Sequence, residues 1–412
     1  MNPRLIPDQS AAVARQLLDP SSVAELLNTY AGQNVEHVTL TRCWPRAAKS
    51  LIVEWLIDSD EGESRWYGQF NTKHMGRSFM PEDLPNQAHW IRDLGLLIHR
   101  ADSDPAMPHL SRCLSISNGS SSWLDRVNDP EPLVSQIRGY KPGRRATIEY
   151  TLRHTPYAIG KTFATADGGK LAGLHSRINE ALASRNTSTR VAPCVAYDPE
   201  LNLTVFPAVQ GTHPHELDVL VRPLADLHSI AVDGLPSFEV SDELAVVRRW
   251  IEAVLWLEPN TAPLCQPALD TLHMKAIDLS EQPRRTIHRD YYDKQVIHDD
   301  DRITVIDLDT LAVGSPWLDL GNLIAHQLLH ELTCGARDAF ARPLLRATAE
   351  TYPTNDSTVD EQALQFFTAT SLLRLGAVHR FRSATTQYTE ALWRQAVELL
   401  SSPMPWGARN PL

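Results

Sequence analysis

Apolar positions change period several times along the chain, and each change marks a new element. Between residues 10 and 31, Leu17, Leu18, Val23, Leu26 and Leu27 recur at helical spacing, with Pro20 marking a fresh start, so helices open the chain. From Val38 the period shortens to strand-like runs, Leu51 to Ile57 and Trp66 to Phe70, separated by an acidic turn. Residues 101 to 132, rich in Ser, Asp, Pro and Asn, hold no sustained period and read as loop. A second strand set starts at Ile137. From Gly168 to Ser184, Leu171, Leu174, Ile178 and Leu182 fall on one helical face at about 100° per residue. Two strands, Val191 to Tyr197 and Leu201 to Val209, flank the turn Asp198 to Glu200, and the chain turns helical from Leu217. An amphipathic helix around Leu244 to Leu257 precedes an irregular, proline-bearing stretch. Beyond Asn322 the spacing predicts helices over Leu323 to Leu332, Ala339 to Tyr352, Glu361 to Arg382 and Thr389 to Leu400.

The two strand sets echo each other. Arg42-Cys-Trp-Pro-Arg46, a strand, a turn and Tyr67-Gly-Gln-Phe70 align with Arg138 to Arg145, a strand through Leu152, a turn and Ile159-Gly-Lys-Thr-Phe163. One three-stranded unit used twice accounts for this, as does convergence on a common meander. The copies differ where it matters for chemistry: the second carries Lys161 in its strand and the first carries Gln69.

Composition narrows the field. With 412 residues, 42% apolar and 22% charged, the chain is long enough for two or three domains of ordinary globular composition. A net charge of −11 argues against nucleic acid or an anionic membrane as partner and favours a cationic or neutral ligand. The five cysteines are scattered and never in Cys-x-x-Cys spacing, which reads as reduced thiols. The first residues lack the apolar core of a signal peptide, and no apolar run approaches membrane-spanning length, so a cytoplasmic protein is expected.

The densest chemistry lies between Ile287 and Asn322. Two β-branched runs, Gln295 to Ile297 and Ile303 to Ile306, flank the acidic turn Asp299 to Asp301 and read as a hairpin, with Asp290 before one strand and Asp307 at the end of the other. Asp290, Gln295 and Asp307 therefore bring oxygen ligands to one edge. Magnesium takes oxygen ligands, usually one or two carboxylates plus phosphates, so Asp307 and Gln295 suit it and leave Asp290 to orient a hydroxyl and accept its proton. Asp309 points the same way as Asp307 along an extended strand, as a further ligand or a solvated turn residue.

His288-x-Asp290, the amide of Gln295, Ile306-Asp307 after a strand, and Gly314-x-Pro316-x-x-Asp319-Leu320 resemble the aminoglycoside phosphotransferase and choline kinase branch of the protein-kinase-like fold. The resemblance covers about Ile137 to His330. It implies an α+β, bilobal fold, a small antiparallel β lobe plus a large helical lobe, preceded here by an extra N-terminal α/β cap. The boundaries expected are 1–132 for the cap, possibly a repeat of the β lobe, 133–211 for the nucleotide-binding lobe and 212–412 for the helical lobe with the catalytic hairpin and acceptor pocket. It also implies ATP and Mg²⁺ as cofactors and a small-molecule hydroxyl acceptor. Asp290 is then the catalytic base or orienter, and Gln295 and Asp307 hold the metal. Lys161 steadies the phosphates, with Glu180 of the following helix as its candidate partner. Phe206, Ala208 and Val209 form the hinge, the first as an aromatic wall and the other two as sources of an N–H for adenine, since Pro207 has none. Asp319 resembles the supporting aspartate that orders the catalytic loop.

Two residues depart from that family. Gln295 stands where it usually has Asn, as in bacterial maltokinases of the same superfamily, and Arg289 stands where it usually has Gly, resembling the His-Arg-Asp of protein kinases. The loop Lys141 to Arg145 takes the place of a glycine-rich phosphate loop with Gly143 alone. The expected activity is ATP-dependent phosphorylation of an amino-sugar, an aminoglycoside or a sugar. A maltokinase-like sugar kinase, or a pseudokinase acting as a nucleotide-binding regulatory module, stands beside it.

Overall fold

The computed structural model describes residues 7–76, 84–116, 133–214, 216–279, 282–299, 302–335 and 360–401. The chain opens with α1 (Pro7–Gln16) and α2 (Pro20–Ala31). Asp19 starts α2 by accepting the Ser22 N–H at 2.8 Å, Pro20 fills the first turn where its missing N–H costs nothing, and Gly32 at φ +63° ends it. Both helices lie on a five-stranded antiparallel sheet of β1 (Val35–Arg46), β2 (Ser50–Ser59), β3 (Gly62–Asn71), β4 (Ala88–Ile91) and β5 (Leu96–His99), in the order β1-β2-β3-β5-β4. Alternation in β2 buries Leu51, Val53, Trp55 and Ile57 on the helix side, and the Trp55 indole donates to the Leu17 carbonyl at 3.0 Å.

After a short helix α3 (Leu110–Leu114), a second antiparallel sheet follows. It contains β6 (Val134–Lys141), β7 (Arg145–Leu152) and β8 (Thr155–Phe163). Next come α4 (Gly168–Ser184) and a short strand β9 (Thr189–Val191), and then β10 (Ala196–Asp198) and β11 (Leu203–Pro207), which complete the sheet as β10-β11-β8-β7-β6. The two sheets share one strand order: a meander whose third strand pairs with the last strand of a following hairpin. Register agrees too. Gln69 faces Ile52 and Leu97, as Lys161 faces Thr147 and Thr204. One residue earlier in each, Gly68 and Gly160 lie under the rings of Trp55 and Tyr150, where an added Cβ would come within 2.4 and 2.8 Å of ring carbons.

The remaining chain is mainly helical: α5 (Leu217–Ser229), β12 (Ser237–Phe238), α6 (Val240–Leu257), α7 (Ala262–Lys275), β13 (Arg285–Ile287), β14 (Val296–Asp299), β15 (Arg302–Val305), β16 (Ala312–Gly314), α8 (Pro316–Cys334), α9 (Glu361–His379) and α10 (Thr389–Ser401). The architecture is thus mixed α+β, with an antiparallel β lobe, a helical lobe and an N-terminal α/β domain, as the sequence predicts. The proline-bearing stretch read as irregular is the helix α7. Pro263 falls in its first turn, where the ring is tolerated, and Pro267 is accommodated one turn later. The helix expected over Ala339 to Tyr352 lies outside the described residues.

The N-terminal domain does not stand apart. One continuous apolar core runs from Leu17, Leu27 and Trp55 to Val247, Ile251 and Leu257 of α6, and Arg15 Nε donates to the Leu257 carbonyl at 3.0 Å. The first sheet is therefore seated on the helical lobe as well as joined to the second sheet. Among the described residues no helix is long and apolar enough to cross a membrane.

Helices α8 and α9 approach closely at Gly321, where a Cβ would lie 2.6 Å from the backbone of Phe367 and Thr368. Backbone cannot swing away as a side chain can. Gly321→Ala is expected to destabilise the protein by about 1–3 kcal/mol, the usual cost of overpacking, read as a lower midpoint in urea unfolding. A midpoint unchanged from wild type would contradict this packing.

Candidate active site

The β13–α8 segment is held by one buried carboxylate. Asp319, wholly excluded from solvent in the first turn of α8, accepts the backbone N–H of His288 at 2.7 Å and of Arg289 at 2.6 Å, and His228 Nε2 of α5 at 2.9 Å. A buried carboxylate needs its lone pairs satisfied, and here the donors are the backbone just ahead of Asp290. That backbone is bent: Arg289 has φ +72°, in the left-handed region that favours glycine. Glycine in the related pattern is explained by that bend. Arg289 offsets the strain by lying over the Phe238 ring at 3.7 Å and donating to the Thr310 carbonyl at 3.3 Å.

Two further hydrogen bonds tie this loop to the end of β15. The buried His288 ring donates from Nε2 to the Ile306 carbonyl at 2.9 Å, and the Thr310 hydroxyl donates to the His288 carbonyl at 2.7 Å. His288 is therefore a structural histidine that joins the strand before Asp290 to the residue before Asp307. Asn322 Nδ2 caps the arrangement by donating to the Tyr291 carbonyl at 2.9 Å. The expected hairpin is present as β14 and β15, with Val296 opposite Val305.

Asp307 turns out of β15 at φ +58° and meets Lys161 Nζ at 2.8 Å, and the same ammonium lies 2.8 Å from Asp309. Asp309 also pairs with Arg145 at the start of β7. The two carboxylates have different surroundings. Asp309 is 9% exposed and engaged by two cations, whereas Asp307 is 38% exposed and spends one oxygen on Lys161. Burial alone would raise the Asp307 carboxyl, but the Lys161 charge and hydrogen bond override it and hold it below its ordinary range. Burial likewise opposes the Lys161 ammonium, and the Asp309 and Asp307 charges overcome that and raise it. Both groups are ionised at neutral pH.

Gln295 is buried, and its amide has no hydrogen-bond partner among the described residues, while its backbone carbonyl accepts the Ile306 N–H at 2.9 Å next to Asp307. A part-exposed carboxylate and an unengaged amide on adjoining backbone fit a hard divalent cation that keeps water or phosphate as its other ligands.

Other expected residues are placed differently. Glu180 is exposed on α4 and does not reach Lys161, because the apolar face that turns α4 inward carries it outward. The inward polar residue is His175, buried, with Nδ1 donating to the Ala192 carbonyl at 2.8 Å and its ring 4.5 Å from that of Phe206. Burial pushes the His175 imidazole down to about 4, so it is neutral, and Asp309 with Asp307 serves as the counter-charge for Lys161. Phe206 accordingly packs into a cluster with Phe163 and Leu171. The Ala208 N–H already donates to the Tyr157 carbonyl at 3.0 Å, so the sheet takes one of the two N–H groups expected at the hinge. Gly143, in the turn between β6 and β7, donates its N–H to Asp104 of the N-terminal domain at 2.7 Å, and Tyr140 bonds the same carboxylate. Sequence reasoning missed His175 because a histidine inside an apolar stripe reads as core.

Asp319→Ala takes from the interior the acceptor of two backbone N–H groups and one partner of His228. It is expected to cost roughly 3–5 kcal/mol, the scale for breaking a buried charged pair. Urea unfolding of the full chain measures this. A loss under 1 kcal/mol would show that the loop does not depend on that carboxylate.

No curated protein matches the chain. Among solved structures, a choline/ethanolamine kinase family protein from Mesorhizobium loti covers 72% of this chain and 96% of its own, at 12% identity and a TM-score of 0.48. A choline kinase from Streptococcus pneumoniae covers 66% and 94%, at 13% identity and a TM-score of 0.46. A thermostable mutant of aminoglycoside phosphotransferase APH(4)-Ia covers 67% and 97%, at 14% identity and a TM-score of 0.46. The profile of the phosphotransferase enzyme family matches residues 178–354, the stretch that carries Asp290, Gln295, Asp307 and Asp319. That stretch is similar to the phosphotransferase enzyme family.

Proposed function

We propose that the protein transfers the γ-phosphoryl group of ATP to a hydroxyl of a small polyhydroxylated molecule. The observation that carries this reading is the linked pair of backbone segments at His288–Asp290 and Ile306–Asp307, which ties the strand leading into a part-exposed Asp290 to the residue before Asp307, whose carboxylate is paired with Lys161. Phosphoryl transfer asks little covalent chemistry of a protein and much positioning and charge stabilisation.

Each residue then has a physical task. Asp290 accepts a hydrogen bond from the acceptor hydroxyl, aligns its oxygen and takes its proton as the new ester bond forms. Lys161, its charge secured by Asp309, meets the phosphate oxygens of the nucleotide. Asp307 and Gln295 are the residues that would hold Mg²⁺, which when bound neutralises charge on the β- and γ-phosphates. The Val209 N–H serves the adenine edge. Gln295 in place of Asn keeps the amide oxygen one methylene further out. A catalytically silent module is the weaker reading, because Asp290, Asp307 and Lys161 together supply side chains able to take a proton, hold a metal and meet phosphate.

Asp290→Asn keeps size and hydrogen bonding but removes the proton acceptor. With an accepted acceptor, ADP release is expected to fall at least 100-fold, within the usual contribution of general acid–base catalysis, while Mg-ATP affinity by calorimetry stays within about twofold. Turnover surviving the substitution would defeat the assignment of Asp290.

A further inference from the structure

The acceptor side of Asp290 opens into a cavity of about 240 Å³ whose walls come from both ends of the chain. Arg42 and Trp44 of β1, in the N-terminal domain, form one side, and Trp250 of α6, Arg374 of α9 and Arg382 just beyond it form the other. We propose that the acceptor is a hydroxylated, single-ring molecule bearing an anionic group, a carboxylate or a phosphate, in a pocket that the N-terminal domain completes. This rests on the phosphotransferase reading above.

Charge balance is the main argument. Three guanidiniums line the cavity against one carboxylate, that of Asp290. Arg374 is partly accounted for: it donates to the Asn322 side-chain oxygen and lies 3.8 Å from Asp290. Arg42 and Arg382 are not. Among the described residues neither meets a carboxylate or makes a hydrogen bond, and both stay solvent-exposed. Partial desolvation at the cavity wall and then the Arg42 charge lower the Arg382 guanidinium, as expected where like charges face each other. The pocket histidines add no charge at neutral pH, since burial and then the neighbouring Arg382 hold His379 at about 4. A site left with surplus positive charge is complementary to an anion, and a guanidinium fork matches carboxylate or phosphate oxygens in pairs.

Size and shape narrow the class. The cavity is smaller than the roughly 300–1,000 Å³ of sites for drug-sized ligands, which suits one ring. Trp44, Trp250 and Tyr292, the last stacked on His326 at 4.1 Å between centroids, offer flat faces to the C–H surface of such a ring. A polycationic acceptor would bring like charge against Arg42 and Arg382, a penalty that disfavours it. The chain's overall −11 charge points toward cationic ligands, and the pocket reverses that preference locally.

Calorimetry on the full chain, with and without Mg²⁺ and AMP-PNP, tests this with glucuronate, glucose 6-phosphate, glucose and glucosamine. At least one anionic sugar is expected to bind tenfold or more tighter than glucose, with glucosamine weakest, and the better of the two identifies carboxylate or phosphate. In Arg42→Gln and in Arg382→Gln that preference is expected to shrink at least fivefold, with AMP-PNP binding unchanged. Binding of glucose or glucosamine as tight as that of the anionic sugars, no detectable binding of either anion, or a preference intact in both variants overturns the proposal. Loss of AMP-PNP binding by the wild-type chain would instead sink the phosphotransferase reading, and the ranking of sugars still decides the charge of the pocket.

Discussion

Everything around the site hangs on a carboxylate that never touches solvent. Asp319 is placed by the first turn of α8, and it spends its oxygens on the backbone of His288 and Arg289 and on the His228 ring. Those bonds hold Arg289 in a left-handed conformation and so set the direction in which Asp290 leaves β13. A buried charge without such donors would be expensive, so the loop and the carboxylate stabilise each other. Packing keeps α8 in place in turn, because Gly321 lets it lie directly against the backbone of α9.

A second, more open set of charges joins the lobes. Lys161 comes from the middle of the β lobe, and Asp307 and Asp309 come from the end of β15. Asp309 is closed off by Lys161 and Arg145, while Asp307 keeps a face free. That division leaves one carboxylate to fix the cation and the other partly open to solvent. The counter-charge of Lys161 comes from Asp307 and Asp309 after β15, and a neutral His175 occupies the inward face of α4.

What could be read from the sequence is what local periodicity encodes. The β14–β15 hairpin, the bounds of α4 at Gly168 and Ser184, and the spacing of Asp290, Gln295, Asp307 and Asp319 all follow from neighbours along the chain. Glu180 failed because chemical type suggested a partner that helical phase denies. Ala208 failed because its N–H belongs to the sheet, as a bond to Tyr157 that only the fold reveals. The irregular stretch became α7 because prolines near a helix start do not forbid it. The pocket of Arg42, Arg374 and Arg382 was illegible for a different reason, since residues more than 300 positions apart meet only after the N-terminal domain docks on α6.

The N-terminal domain repeats the strand order of the β lobe, yet Gln69 stands where Lys161 provides charge. Its Arg42 lines the cavity that also holds Asp290, and its Asp104 accepts the Gly143 N–H of the β6–β7 turn. The central claim is that Asp307, held beside Lys161, organises a nucleotide through a divalent ion. Calorimetric titration of ATP into the full chain, with and without Mg²⁺, tests it most directly in wild type and Asp307→Asn. The account predicts that Mg²⁺ tightens ATP binding to the wild-type chain at least tenfold and that the substitution abolishes this gain. ATP binding indifferent to Mg²⁺, or a gain preserved in Asp307→Asn, would contradict it.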